Sequence, residues 1–225
     1  MSSVTPASIA FFDVDETLIS IKSMFDFYDY FLEAVGHSPE EQQRLHDAAR
    51  ALLRPGLPRE QGNRQFYRRF ADYKVAEVAA VGQQWFDAHL ERGGLFHTDV
   101  VDALRAHREA GTTTVLVSGS FSACLDPVSA HVGADLAMST ELEVRDGIYT
   151  GEVTRTMIGE AKAELARELI TQAGVSAADC HAYGDHTSDL GLLQLVGHPV
   201  LVGAQPQMSE IADSEGWPRL PGTRG

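Results

Sequence analysis

Three short apolar runs in this chain each end abruptly on residues suited to chemistry, and this pattern limits the possible fold more than any other feature. Ile9-Ala10-Phe11-Phe12 leads into Asp13-Val14-Asp15-Glu16-Thr17, and Thr112-Thr113-Thr114-Val115-Leu116-Val117 leads into Ser118. Cys180-His181-Ala182-Tyr183 leads in the same way into Gly184-Asp185-His186-Thr187-Ser188-Asp189. Short apolar runs bounded by turn residues read as buried strands. In an open parallel sheet the loops at the carboxyl ends of neighbouring strands meet in one crevice, where ligands bind. The pattern therefore predicts that Asp13, Ser118 and Asp185 share a pocket although they are far apart in sequence.

The 225 residues suffice for a core domain with a smaller insert. Apolar residues recur at helical spacing from Met24 to about Arg92, with a break at Pro55-Gly56-Leu57-Pro58, so residues 21–92 read as a helical insert and 1–20 with 93–225 as the core. Strand and helix then alternate: a helix over Thr98 to Ala110, the second strand, a helix from near Ser120, another over Glu160 to Ala173, and a strand at Pro199-Val200-Leu201-Val202. Asp146-Gly147 lies between alternating apolar residues from Leu142 to Val153 and predicts a hairpin turn. The tail from Ser214 to Gly225 reads as loosely ordered.

Charge narrows the function classes. With 32 acidic against 18 basic residues and a formal net charge of -14, broad contact with nucleic acid or an anionic membrane is not expected. A phosphorylated substrate would need a local positive patch. Cys124 and Cys180 lie in apolar segments without paired spacing and read as buried free thiols. Met1 to Ser8 shows neither a basic region nor a long apolar stretch, and no segment has the apolar length of a membrane span, so a cytoplasmic protein is expected.

These residue types suit phosphoryl transfer. A phosphate monoester dianion repels an anionic nucleophile, so a carboxylate attacks phosphorus only where that charge is neutralised. Mg2+, held by Asp13, Asp185 and a backbone carbonyl of the first loop, would do so. Asp13 is the expected nucleophile, forming an aspartyl-phosphate, and Asp15, on the same side of the strand end, the general acid and then base. Ser118 and the Gly119 amide would hold phosphoryl oxygens, Lys162 would stabilise the transferring group, and Asp189 would complete the metal site.

The chain resembles the haloacid dehalogenase superfamily, and within it the phosphoserine phosphatase-like branch. The resemblance covers nearly the whole chain, through Phe11 to Leu18, Val117-Ser118-Gly119-Ser120-Phe121, Gly159-Glu160-Ala161-Lys162 and Tyr183 to Leu193. It implies an α/β fold with a Rossmann-like parallel sheet and an inserted helical cap that closes over a small phosphorylated substrate. It also implies that Asp13, Asp15, Ser118, Lys162, Asp185 and Asp189 carry the roles above, with the carbonyl of Asp15 as the backbone metal ligand. Lys22 falls near where phosphoserine phosphatases place a glutamate that recognises the substrate ammonium, so phosphoserine is a disfavoured substrate. The resulting expectation is a Mg2+-dependent phosphomonoesterase. Phosphoserine phosphatase proper, a phosphoryl mutase, a dehalogenase and a catalytically silent binding module are the alternatives, and the oligomeric state is open. In the insert, Arg64 and Arg68 stand at helical i and i+4 spacing, and with Lys22 they are the expected contacts to the remote part of the substrate.

Overall fold

A computed structural model describes residues 8–54 and 56–222. The expectation placed on Met1 to Ser8 therefore lies almost wholly outside the described residues, as do Pro55 of the predicted break and the last three residues of the tail. The strands are β1 (Ile9–Asp13), β2 (Thr113–Ser118), β3 (Leu136–Ser139), β4 (Glu141–Arg145), β5 (Ile148–Arg155), β6 (His181–Gly184), β7 (His198–Val202) and β8 (Arg219–Leu220). Six of them form one parallel sheet in the order β3-β2-β1-β6-β7-β8, while β4 and β5 pair as an antiparallel hairpin. The helices are α1 (Ser23–Ala34), α2 (Pro39–Arg50), α3 (Arg59–Tyr67), α4 (Val75–Arg92), α5 (Thr98–Glu109), α6 (Ser122–Val132), α7 (Glu160–Ala173), α8 (Leu190–Leu195) and α9 (Pro206–Glu215).

The strands are apolar on both faces because helices cover both. Ala10, Phe12 and Leu116 meet Val100 and Leu104 of α5 and Leu125 and Val128 of α6 in one core. Ile9, Phe11, Val115 and Val117 meet Leu165 and Ile170 of α7, Leu192 of α8 and Met208 of α9 in the other. This three-layer arrangement is the expected consequence of parallel strands linked by crossover helices. The sheet order runs outward in both directions from β1 and β6, so the topological switch point lies between them, and Asp13 and Gly184 are their last residues.

The insert is made of α1 to α4, with two breaks besides the one read from the prolines. The first follows α1, where Gly36 takes φ +85 and Ser38 begins α2 with a capping box to Glu41 and a proline at the first turn. The second lies before α4, where Asp72 takes φ +69. Aromatic side chains fill the space between these helices: Phe27, Phe31, Phe66, Tyr67, Phe70 and Trp85 are each 2% exposed or less. Phe121, just after β2, joins them, with ring centroids 4.9 Å from Phe70 and 5.1 Å from Tyr67. At Gly82 a Cβ would lie 2.1 Å from the Ala123 carbonyl, so the absent side chain is what lets α4 approach α6.

The hairpin forms where expected, with Asp146 and Gly147 both at positive φ. The tail is a correction: α9 extends to Glu215 and Arg219–Leu220 add an edge strand beside β7, anchored by Arg219 on the Ser209 carbonyl and on Asp213. Cys124 and Cys180 are buried and free, as read. Among the described residues no helix is long and apolar enough to cross a membrane.

Candidate active site

Strand register assembles the site. Asp13 pairs in register with Val117, so Ser118 lies one residue beyond it on β2, and Phe12 pairs with Tyr183, so Gly184-Asp185 lies on its other side. Gly184 is required by close approach: a Cβ there would meet the Asp189 Cβ at 2.8 Å. The short 3-10 turn after β6, Thr187–Asp189, then brings Asp189 back toward β1. Lys162, from the first turn of α7, enters between the two carboxylates and donates to Asp13 Oδ1 at 2.5 Å and to Asp189 Oδ1 at 2.7 Å. All three residues are almost fully buried.

The Asp13, Asp185 and Asp189 carboxylates each offer an oxygen, all within 4.8 Å of one another. Burial and the nearby Asp189 charge raise the Asp13 pKa well above the ordinary carboxylate range, with Lys162 pulling against them. Burial, again with Asp189, pushes Asp185 up to about 7, and the Thr17 hydroxyl, donating to its Oδ1 at 3.1 Å, opposes the shift. Burial would lower Lys162, but Asp13 and Asp189 outweigh it and hold the ammonium above the usual lysine value. Burial pushes Asp15 up to about 6; the Ser23 amide, donating to its Oδ1 at 3.1 Å, resists.

Ser118 is buried, and its Oγ accepts the Ser120 amide at 3.0 Å, which shapes the turn carrying Gly119. The Gly119 carbonyl accepts three donors: Asn63 Nδ2 at 2.8 Å, Tyr67 OH at 3.2 Å and Thr140 Oγ1 at 2.9 Å. Two of the three come from α3, so the insert is hydrogen-bonded to the turn at the end of β2. A cavity of about 310 Å³ opens from Asp13, Asp15, Lys162 and Asp185 toward the insert. Lys22 lines it and pairs with Glu16 at 3.1 Å.

Arg64 and Arg68 do not line this cavity. Arg64 donates to the Val153 carbonyl of β5 at 2.5 Å, and Arg68 pairs with Glu152 at 3.4 Å. At 100° per residue, Arg59, Asn63, Phe66 and Tyr67 share the inward stripe of α3, which places Arg64 on the flank beside the hairpin, and Arg68 follows it in the turn after α3. The residues of α3 that line the cavity are instead Arg59, Gly62, Asn63 and Phe66. Arg59 reaches His186 Nδ1 at 2.6 Å and so joins the insert to the loop after β6. The available signal was a polar Asn63 within the apolar i, i+3, i+4 stripe completed by Phe66 and Tyr67. Thr17 and His186 stood inside the strand-end segments without an assigned role.

Comparison with known proteins places the chain in a family. Residues 10–194 match the haloacid dehalogenase-like hydrolase family. A Mycobacterium tuberculosis protein named probable phosphatase is 31% identical over 214 residues, 94% of this chain and 74% of that protein. A crystal structure of a Bordetella pertussis protein of unknown function superposes with a TM-score of 0.85 at 25% identity, covering 96% of this chain and 98% of the other. A phosphoserine phosphatase structure, titled as a phospho-aspartyl intermediate analogue, shares the fold with a TM-score of 0.67 at 19% identity over 92% of each chain. The chain therefore belongs to the haloacid dehalogenase-like hydrolases.

Proposed function

We propose that this enzyme is a Mg2+-dependent phosphomonoesterase for a small phosphorylated metabolite, working through an aspartyl-phosphate on Asp13. The observation that carries the reading is the charge imbalance at the switch point. Two buried carboxylates, Asp13 and Asp189, and the half-buried Asp185 lie around one ammonium, that of Lys162, so with all three ionised the cluster stands two negative charges from neutrality. An all-oxygen donor set of this kind fits Mg2+. Asp189 has Oδ1 on Lys162 and Oδ2 on the His186 amide, so it positions the ammonium and the loop. Asp13 and Asp185, with the Asp15 carbonyl that the family resemblance implies, would hold the ion, which supplies charge neutralisation at the phosphoryl group.

The chain's own groups account for the rest. An Asp13 carboxylate oxygen attacks phosphorus, its bond to phosphorus forming as the ester P–O bond breaks. Asp15, with its pKa near 6, passes its proton to the departing alkoxide. A water then attacks the phosphorus of the aspartyl-phosphate, Asp15 takes its proton, and Asp13 is released with inorganic phosphate. Lys162 and the Gly119 amide stabilise the charge on the transferring group, and the Ser118 side chain shapes the turn that presents that amide.

Phosphate release from 4-nitrophenyl phosphate tests this reading. Activity should require Mg2+, and Asp13→Asn should lower turnover by roughly three orders of magnitude or more with the fold intact. Undiminished activity after thorough chelation, or in Asp13→Asn, would reject it. Asp15→Asn should cost about a hundredfold or more in kcat with a smaller change in KM. A purely KM effect would remove Asp15 from proton transfer.

A further inference from the structure

We propose that Thr140 is a positioning residue for the phosphoryl-transfer step, its buried hydroxyl tying the turn that carries Gly119 to the segment that carries Lys162. This inference rests on the phosphatase reading above and adds to it a residue that lies in none of the site segments.

Strand register brings Thr140 to this place. Ser118 pairs with Ser139 at the end of β3, so Thr140 follows Ser139 as Gly119 follows Ser118. The Thr140 amide donates to the Ser120 carbonyl at 2.8 Å, which fixes its backbone against the turn. The side chain then bonds to two different segments. Its hydroxyl donates to the Gly119 carbonyl at 2.9 Å and accepts the Met157 amide at 3.2 Å. A threonine hydroxyl serves both ways at once, with one proton to give and lone pairs to receive. Thr140 is 1% exposed and Met157 is fully buried. Losing a hydrogen bond there costs more than losing one at the surface.

Met157 stands just before Gly159, which takes φ +61 and begins α7, and the Gly159 carbonyl accepts the Lys162 amide at 3.1 Å. Holding the Met157 amide therefore holds the start of the helix that delivers the ammonium. The two segments also touch directly: a Cβ at Gly119 would lie 2.9 Å from Ile158 Cγ1. Apolar contact alone lets them slide past each other, and the shared hydroxyl fixes their offset. In the phosphatase reading the Gly119 amide and the Lys162 ammonium act on the same phosphoryl group. Preorganised donors stabilise such a group only from the right distance, and a misplacement of about 1 Å costs on the order of a hundredfold in rate.

Valine keeps the β-branched shape of Thr140 and removes the hydroxyl, while serine keeps the hydroxyl. Both variants are compared with wild type in steady-state hydrolysis of 4-nitrophenyl phosphate, well below the melting temperature of each protein. Thr140→Val should lower kcat about tenfold or more and change KM by less than about threefold. Thr140→Ser should stay within about threefold of wild type in both. Amide hydrogen exchange checks the bridge itself: the rate at Met157 should rise about tenfold or more in Thr140→Val and return toward the wild-type rate in Thr140→Ser. A Thr140→Val kcat within about threefold of wild type, a loss confined to KM, a Thr140→Ser enzyme as slow as Thr140→Val, or unchanged exchange at Met157 would each overturn the proposal and leave the phosphatase reading intact. Thr140→Ala repeats the test should Thr140→Val not fold. Failure of both to fold would make Thr140 a purely structural residue, which also overturns the proposal. A wild-type enzyme without activity on 4-nitrophenyl phosphate would instead overturn the phosphatase reading, and the positioning role with it.

Discussion

At the scale of single residues, the titration of Asp185 ties stability to pH and, if Asp185 holds the proposed ion, to ion binding. Its folded pKa of about 7 lies above the ordinary 3.8 because burial and Asp189 disfavour the charged form. A carboxyl raised in this way contributes stability that is fully present below about pH 4 and is lost as pH rises through about 7. Asp13 is displaced in the same direction. A cation binding there must find both groups ionised, so its affinity rises with pH over that window. The rise in melting temperature on adding Mg2+ to chelated protein should therefore be larger at about pH 8 than at about pH 5, measured by thermal unfolding at fixed ion concentration. An equal rise at both values would mean that these carboxylates do not hold the ion. Glu16 is a second residue-scale case. Its φ of +62 is unfavourable for a side chain with a Cβ, and it occupies the loop between Asp15 and Thr17, both engaged in the site.

At the scale of elements, α3 positions the insert over the cavity. Its inward stripe carries Arg59 onto His186 and both Asn63 and Tyr67 onto the Gly119 carbonyl. The spacing of Arg64 and Arg68 was legible in the sequence, but the direction they face was not. Periodicity identifies which residues share a face, and it does not say which neighbour covers that face. Here the β4-β5 hairpin lies beside it, and the sequence showed that hairpin without its docking place. The ends of α1 and α2 were legible in principle through Ser38-Pro39-Glu40-Glu41, a helix start hidden within a long helical pattern. The α4 to α6 contact depends on Gly82. Gly82→Ala should lower stability by about 1 to 3 kcal/mol in chemical denaturation, because the added Cβ must push the helices apart. An unchanged midpoint would show that the two helices are not in such close contact.

At the scale of the molecule, one apolar cluster runs from the face of the sheet through Phe121 into the aromatic interior of the insert. Insert and core should therefore unfold together. Phe121→Ala should cost about 3 to 5 kcal/mol and leave one cooperative transition. Two separate transitions in the wild-type protein would show that the insert is independent. The central strands and the four site segments were readable because buried strands and strand-end residues are local patterns. The edge strands β3 and β8 were not, since Leu136–Ser139 and Arg219–Leu220 are short and gain their identity from pairing with β2 and β7. The proposed mechanism has this arrangement present Asp13 to phosphorus. The most direct measurement is to quench the enzyme during turnover of 4-nitrophenyl phosphate, reduce any acyl phosphate with borohydride, and map the modified residue by peptide mass spectrometry. Asp13 should be reduced to homoserine, dependent on substrate and Mg2+ and not in Asp13→Asn. An unmodified Asp13 in an enzyme shown to be turning over, or modification of another carboxylate in its place, would contradict an aspartyl-phosphate on Asp13.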